Sequence, residues 1–393
     1  MRPFKQDVQE KDYSGVEALV RGNTEFALDL YQKLRIVEDN LFFSPYSIST
    51  ALAMTYAGAR GNTEVQMAQA LRFPLDQERL HPAFALLEAK LRDISKKGYI
   101  QLKVANRLWP QVRYPFLEEF LALTKEYYGV LITPVDYGKP KAARETINAW
   151  VEEKTQGKIR ELIPSGVLDR LTRLVLTNAI YFKGNWAHQF DKTLTENAPF
   201  LVTPTETVEV PMMAQKSEFR YAENDTLQIL ELPYMGNDLS LIVLLPRKVD
   251  GLRELEGKLT VEMLRECTSG LWRREVLVFL PRFRLGCGYK LRKTLNAMGM
   301  TDAFDESKAN FSGMDGKVHW LYIFNVFHNA FIDVNEEGAE AAAATAAVMK
   351  VMSMPPPPVT FRADHPFIFL IRENNTGSLL FLGRVVNPMQ ETA

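Results

Sequence analysis

Five histidines, His81, His188, His319, His328 and His365, are the first residues in this chain that could carry chemistry. None belongs to an HExxH pair on one helix face, and none has a cysteine at the spacing a zinc site needs. Cys267 and Cys287 lie outside CxxC and CxxH arrangements. They read first as buried or semi-buried free thiols, with a mutual disulfide or a reactive thiol as the alternatives. No GxSxG elbow presents a nucleophilic serine, and no GxxxxGK[ST] loop is there to cradle phosphates. Gly286 and Gly288 form a close pair, but the third glycine and the βαβ setting of a dinucleotide fingerprint are missing. These patterns argue against an enzyme, a cofactor and a protein-held metal, leaving open only a triad whose members meet in space. His328, in the apolar run YIFNVFHNAFIDV, reads from its surroundings as a core histidine with satisfied hydrogen bonds.

A different kind of chemistry is suggested by EEGAEAAAATAAVMKVMSMPPPP, residues 336 to 358. Seven of the thirteen residues from Gly338 to Lys350 are alanine, and Pro355 to Pro358 then forbid a continuing helix. Composition alone favours an alanine-rich surface helix or linker. In extended form, however, Ala339, Ala341, Ala343 and Thr345 fall on one face and Glu340, Ala342, Ala344 and Ala346 on the other. Such a strip has no bulky group on either face and no charge on the first. It is suited to a segment that stays outside a sheet in one state and enters it as a strand in another.

The elements that would position this segment change character along the chain. Up to about residue 160 the pattern is mainly helical. Asn23 is expected to cap a helix reaching Val37, Ser44-Pro45 a second, and Thr63 with Gln66 looks like a capping box for a third ending at Leu71. Further helices are expected near 79 to 96, 115 to 127 and 141 to 155, with strands at 100 to 109 and 130 to 135. After residue 170 strands dominate. Leu174 to Phe182 is apolar on both faces, as a strand covered on each side must be. Others are expected near 208 to 221, 227 to 233, 239 to 245, 275 to 284 and 321 to 334, with short helices near 250 to 267 and 290 to 299. Phe367 to Ile371 and Ser378 to Arg384 form a hairpin through ENNTG, where Gly377 supplies the positive φ. No repeat or flexible linker divides the chain, so residues 1–393 are expected to be one α+β domain.

The bulk numbers narrow the partners. The 47 Lys and Arg against 48 Asp and Glu leave a formal charge of −1, which gives no general pull toward nucleic acid or a membrane surface. Arg92, Lys96 and Lys97 are a candidate polyanion patch, but Glu88 and Asp93 alongside make a solvated helix face the simpler reading. The amino terminus lacks the apolar stretch of a secretory signal. That favours a cytoplasmic protein, or an extracellular one if this is a mature form. The sequons at Asn224, Asn310 and Asn374 occur about as often as chance supplies.

Taken in order, eight segments of the chain resemble the serpin family of serine protease inhibitors. The most specific is NEEGAEAAAAT at 335 to 345, which is similar to the reactive-loop hinge of inhibitory members. The others are FFSPYSIS at 42 to 49, ANRLW at 105 to 109, INAWVEEKTQGKIRELIP at 147 to 164, LTNAIYFKGNWAHQF at 176 to 190, HNAFIDVNEEG at 328 to 338, ADHPFIFLI at 363 to 371 and SLLFLGRVVNP at 378 to 388. ADHPF is similar to the intracellular-type members. The resemblance implies three β-sheets with eight or nine helices, a monomer, and an exposed reactive loop at 336 to 358. It makes Glu336, Glu337, Gly338, Ala339, Glu340, Ala341, Ala342, Ala343, Ala344 and Thr345 the hinge. It places Ser44, Ser47, Asn178 and His328 where the large sheet opens, and Trp186 where the loop would first enter.

Counting family-style, fourteen residues beyond Gly338 sets the reactive bond between Met352 and Ser353. The resemblance then implies a suicide substrate. A protease serine acylates on Met352, the loop inserts as an extra strand, and the trapped enzyme is distorted before hydrolysis. An unbranched apolar Met352 favours chymotrypsin-like or elastase-like pockets. Lys350 is the alternative specificity residue, suited to a trypsin-like pocket carrying a carboxylate. Two departures from the pattern are Ala339, where Thr or Ser is usual, and four prolines instead of one or two. The competing function is a non-inhibitory serpin acting as chaperone, carrier or storage protein.

Overall fold

The computed structural model describes residues 4–130, 132–319, 321–337 and 358–390, with side chains from Ser14 onward. Helix α1, Phe4–Leu34, carries a buried stripe of Val16, Leu19, Val20, Phe26, Ala27, Leu30 and Tyr31 at helical spacing. Asn23 falls within that stripe, so it does not cap a helix as expected. Its side-chain amide donates to the Leu379 carbonyl at 3.3 Å and ties the helix to the far end of the chain. After the short strand β1, Leu41–Phe43, the expected cap does form. Ser44 Oγ accepts from the Ser47 N–H at 3.2 Å, Pro45 takes the first helical position, and every residue of α2, Pro45–Tyr56, is buried.

Thr63 and Gln66 do not form a capping box in α3, Gly61–Ala70. Thr63 Oγ1 accepts from the Asn310 N–H, and Gln66 Oε1 accepts from the N–H groups of Thr301 and Asp302. Both side chains satisfy a distant loop, which competes successfully for the same oxygens. Next come α4, Gln77–Lys96, β2, Ile100–Pro110, α5, Glu118–Tyr128, and α6, Pro140–Lys154, close to expectation. The strand expected near 130 to 135 reduces, among the described residues, to one bridge between Gln111 and Val135.

The strand-rich part holds β3, Leu174–Gly184, β4, Glu196–Thr203, β5, Glu206–Glu223, β6, Leu227–Pro233, and β7, Leu239–Pro246. Two short helices, α7, Leu252–Gly257, and α8, Val261–Ser269, lead to β8, Trp272–Pro281, and β9, Phe283–Lys290. The single strand expected at 275 to 284 is therefore two, parted at Arg282, whose N–H turns to the Pro211 carbonyl. Helices α9, Arg292–Ala297, and α10, Ser312–Asp315, precede β10, Asn325–Val334. The chain finishes with β11, Val359–Arg362, and the hairpin β12, Phe367–Glu373, and β13, Leu379–Val385. Gly377 in that hairpin has φ of 76°, and its N–H bonds to the Glu373 carbonyl.

Eight strands of a nine-stranded sheet follow one hydrogen-bonded path, β1-β13-β12-β7-β6-β5-β8-β11, and the ninth, β4, pairs with β5 off that path. The two halves of this sheet join where Arg220–Glu223 pairs with Gln228–Glu231. With the separate sheet β2-β3-β10-β9, the described residues of this α+β fold form two hydrogen-bonded sheets where three were expected, because that ladder joins the two halves of the larger one. The described residues contain ten α-helices, the surplus over eight or nine lying in short segments such as the single turn α10.

In the four-stranded sheet β3 is buried along its length except at Lys183. Leu174, Leu176, Ile180 and Phe182 join the main core. Val175 and Ala179 face a second cluster with Trp109, Phe327 and the α6 residues Ile147 and Val151. The strand is therefore covered on both sides, as its unbroken apolar run requires.

Candidate functional site

One row of polar residues crosses the buried face of the four-stranded sheet. The register sets Asn106 of β2 opposite Asn178 of β3, Asn178 beside His328 of β10, and His328 opposite Tyr289 of β9. The amino end of α2 lies against this row. The Ser44 N–H donates to His328 Nε2 at 3.1 Å, Ser44 Oγ donates to the Leu380 carbonyl at 2.6 Å, and Asn178 Nδ2 donates to Ser47 Oγ at 2.5 Å. His328 Nδ1 meets Asn178 Oδ1, and Asn178 Nδ2 also reaches Asn106 Oδ1. Ser44, Ser47, Asn178 and His328 are all 0% exposed. Burial lowers the His328 pKa to about 3, which keeps the ring neutral. The four residues expected together are thus joined in one network with Asn106, and the Tyr289 ring stacks on His328. Asn106 had a sequence signal, being polar on the core face of ANRLW; Tyr289 had none.

This row crosses the β3/β10 pair, which is parallel from Asn325/Val175 to Ile332/Phe182, whereas β2/β3 and β9/β10 are antiparallel. The two strands bond directly, so no strand separates them. Beyond Val334 the chain leaves the sheet at a second polar cluster. Trp186, 3% exposed, stacks on Tyr234 with ring centroids 4.6 Å apart and donates from Nε1 to the Asn335 carbonyl at 2.8 Å. Trp186 thus packs in the core and also bonds the chain where it leaves β10.

Glu336 is buried, with Arg282 Nε at 2.7 and 2.6 Å from its two oxygens and Thr195 Oγ1 at 2.5 Å. Burial opposes its charge, but the bonds from Arg282 and Thr195 outweigh that and hold its pKa below the usual value. Glu337 pairs with Lys192, which lowers its pKa too, and its carbonyl accepts from Gln189 Nε2 at 3.1 Å. Arg282, Thr195 and Lys192 carry no local sequence signal, because they come from separate segments that meet only in the fold. Gly338, Ala339, Glu340, Ala341, Ala342, Ala343, Ala344, Thr345, Lys350, Met352 and Ser353 lie outside the described residues.

Comparison with known proteins places this arrangement. The family model described as Serpin (serine protease inhibitor) matches residues 21–388. The chain belongs to the serpin family. Leukocyte elastase inhibitor from Equus caballus is 46% identical over 386 residues, covering 95% of this chain and all of that one. The protein of the same name from Homo sapiens is also 46% identical, over 388 residues. Among solved structures, uncleaved ovalbumin aligns with a TM-score of 0.84 and 35% identity, over 94% of this chain and 100% of that one. Human thyroxine-binding globulin aligns at 0.86 and 31%, over 96% and 100%. As a serpin the chain is a protease-inhibitor protein and not an enzyme.

The remaining candidates have ordinary surroundings. Arg92, Lys96 and Lys97 pair with Glu88, Asp93 and Asp238 on the surface of this serpin. Cys267 and Cys287 are buried thiols outside any disulfide, and burial raises the pKa of Cys267. Among the described residues no group of His, Cys, Asp and Glu could hold a metal, and no helix is long and apolar enough to cross a membrane.

Proposed function

We propose that this serpin is a single-use inhibitor of elastase-like or chymotrypsin-like serine proteases, acting through its Met352–Ser353 bond. The protease serine Oγ attacks the Met352 carbonyl carbon, the Met352–Ser353 amide breaks, and Ser353 leaves as a new amino terminus. An ester then joins Met352 to the enzyme. Freed at that bond, the segment from Ala339 enters between β3 and β10 before water can cleave the ester. The relatives' name supports the target class. The observation that carries the mechanism is the direct parallel β3/β10 pair, with the hinge leaving from the end of β10.

A chain reversing after Val334 runs antiparallel to both strands. Its insertion replaces one parallel ladder, slightly weaker per residue, by two antiparallel ones. Incubation with leukocyte elastase should give an SDS-stable covalent band and release a peptide beginning Ser353-Met354. A band trapped only at Lys350 would move the target to trypsin-like enzymes. Cleavage with no covalent band would favour a non-inhibitory serpin.

A further inference from the structure

A cavity of about 830 Å³ opens one residue from Trp186, between β5, β8, β12 and the β6–β7 turn. Its charged side chains are Arg220, Arg273, Arg372, Glu218 and Glu231. Three guanidiniums against two carboxylates leave it positive, and their placement sharpens the imbalance. Arg220 and Arg273 stand directly opposite one another across β5 and β8, a like-charge pairing that is unfavourable without a counter-anion. Glu231, 5% exposed, pairs with Arg220 at 3.0 Å and with Arg372 at 3.7 Å, so one carboxylate serves two cations. Glu218 is exposed. Arg273 makes no ion pair among the described residues and is exposed, and the buried Nε of Arg372 has no hydrogen-bond partner.

We infer that this cavity binds a compact oxyanion of two or more negative charges, a phosphate or sulfate ester. Guanidinium forks match the oxygens of such groups in pairs, which a simple point charge does not. The ligand accepts from Arg273, and its charge relieves the opposition of Arg220 and Arg273. The wall includes Ala187, whose N–H bonds to the Pro233 carbonyl at 2.9 Å next to the Trp186–Tyr234 bridge. The inference stands on the cavity's own charges and does not depend on loop insertion.

Calorimetric titration of the full chain with inorganic pyrophosphate, and separately with a sulfated disaccharide, tests it at constant ionic strength. Saturable 1:1 binding of either probe is expected, weakened at least about tenfold by Arg273→Glu and unchanged by Lys96→Ala on the separate helix surface. Stronger binding of pyrophosphate assigns the site to phosphate esters, and stronger binding of the sugar to sulfate esters. Without ligand Arg273→Glu should melt no lower than wild type, because the side chain is exposed and the substitution removes the like charge opposite Arg220. No saturable heat with either probe, or equal affinity in wild type and Arg273→Glu, would overturn the assignment.

Discussion

At His328 the ring is held as one neutral tautomer. Its Nε2 must accept, because the Ser44 backbone N–H can only donate, and Nδ1 therefore donates to Asn178 Oδ1. Truncation by His328→Ala leaves the Ser44 N–H and Asn178 Oδ1 buried without that partner. At roughly 1 to 3 kcal/mol each, the loss should be of order 2 to 6 kcal/mol in denaturant unfolding. The same burial fixes a pH dependence. Folded His328 titrates near 3 and His81 near 4, both far below the ordinary 6.5, because burial disfavours the charged rings. Between those values the unfolded chain binds more protons, so stability is full above about pH 6.5 and falls as pH drops toward 3. Between pH 6.5 and 5 the slope should shrink in His328→Gln by up to about one proton, or ~1.4 kcal/mol per pH unit. An unchanged slope would mean that His328 is not the neutral buried group described. Specificity belongs to this scale as well. Met352→Arg should redirect covalent complex formation from elastase-like to trypsin-like enzymes, read as bands on an SDS gel, with complex yield otherwise preserved.

Among the elements, the proposed mechanism requires the hinge and the β3/β10 pair to move together. Leaving its present position takes Glu336 from Arg282 and Thr195, and Glu337 from Lys192. If Ala339 enters level with Val334, an antiparallel count sets Thr345 level with His328, since both pairs of residues lie the same number of steps apart. The loop's one hydroxyl on the alanine face then meets the polar row that the parting strands would otherwise leave unpaired. Ala339→Arg sets a charge at the entry point, where burial without a partner costs several kcal/mol. The variant should be cleaved at Met352–Ser353 as a substrate, with the covalent band on elastase largely lost; undiminished complex yield would contradict inward insertion at Ala339. These elements differ in how far their residues announced them. The Ser44-Pro45 cap and the doubly apolar β3 were legible because the deciding interactions are local. Asn23, Thr63 and Gln66 misled because their side chains bond to Leu379, Asn310 and the Thr301–Asp302 backbone, which no local pattern contains.

For the whole molecule the same contrast explains what the chain revealed of its function. The α+β fold and the Ser44, Ser47, Asn178, His328 grouping were legible through family-like segments, while β4, the split of β8 from β9 and the Arg282 clamp depend on pairings across long sequence distances. Helix α6 lies over the outer face of the sheet through Ile147 and Val151, so widening that sheet must also displace the second core. A closed sheet under such cover can remain as it is while the loop is intact and gain a strand once the loop is free. The direct test of that two-state account is the melting temperature of the wild-type protein before and after cleavage at Met352–Ser353. The account predicts that the cleaved protein melts far above the intact one, because the freed segment adds two antiparallel ladders to the sheet; equal or lower melting after cleavage would contradict it.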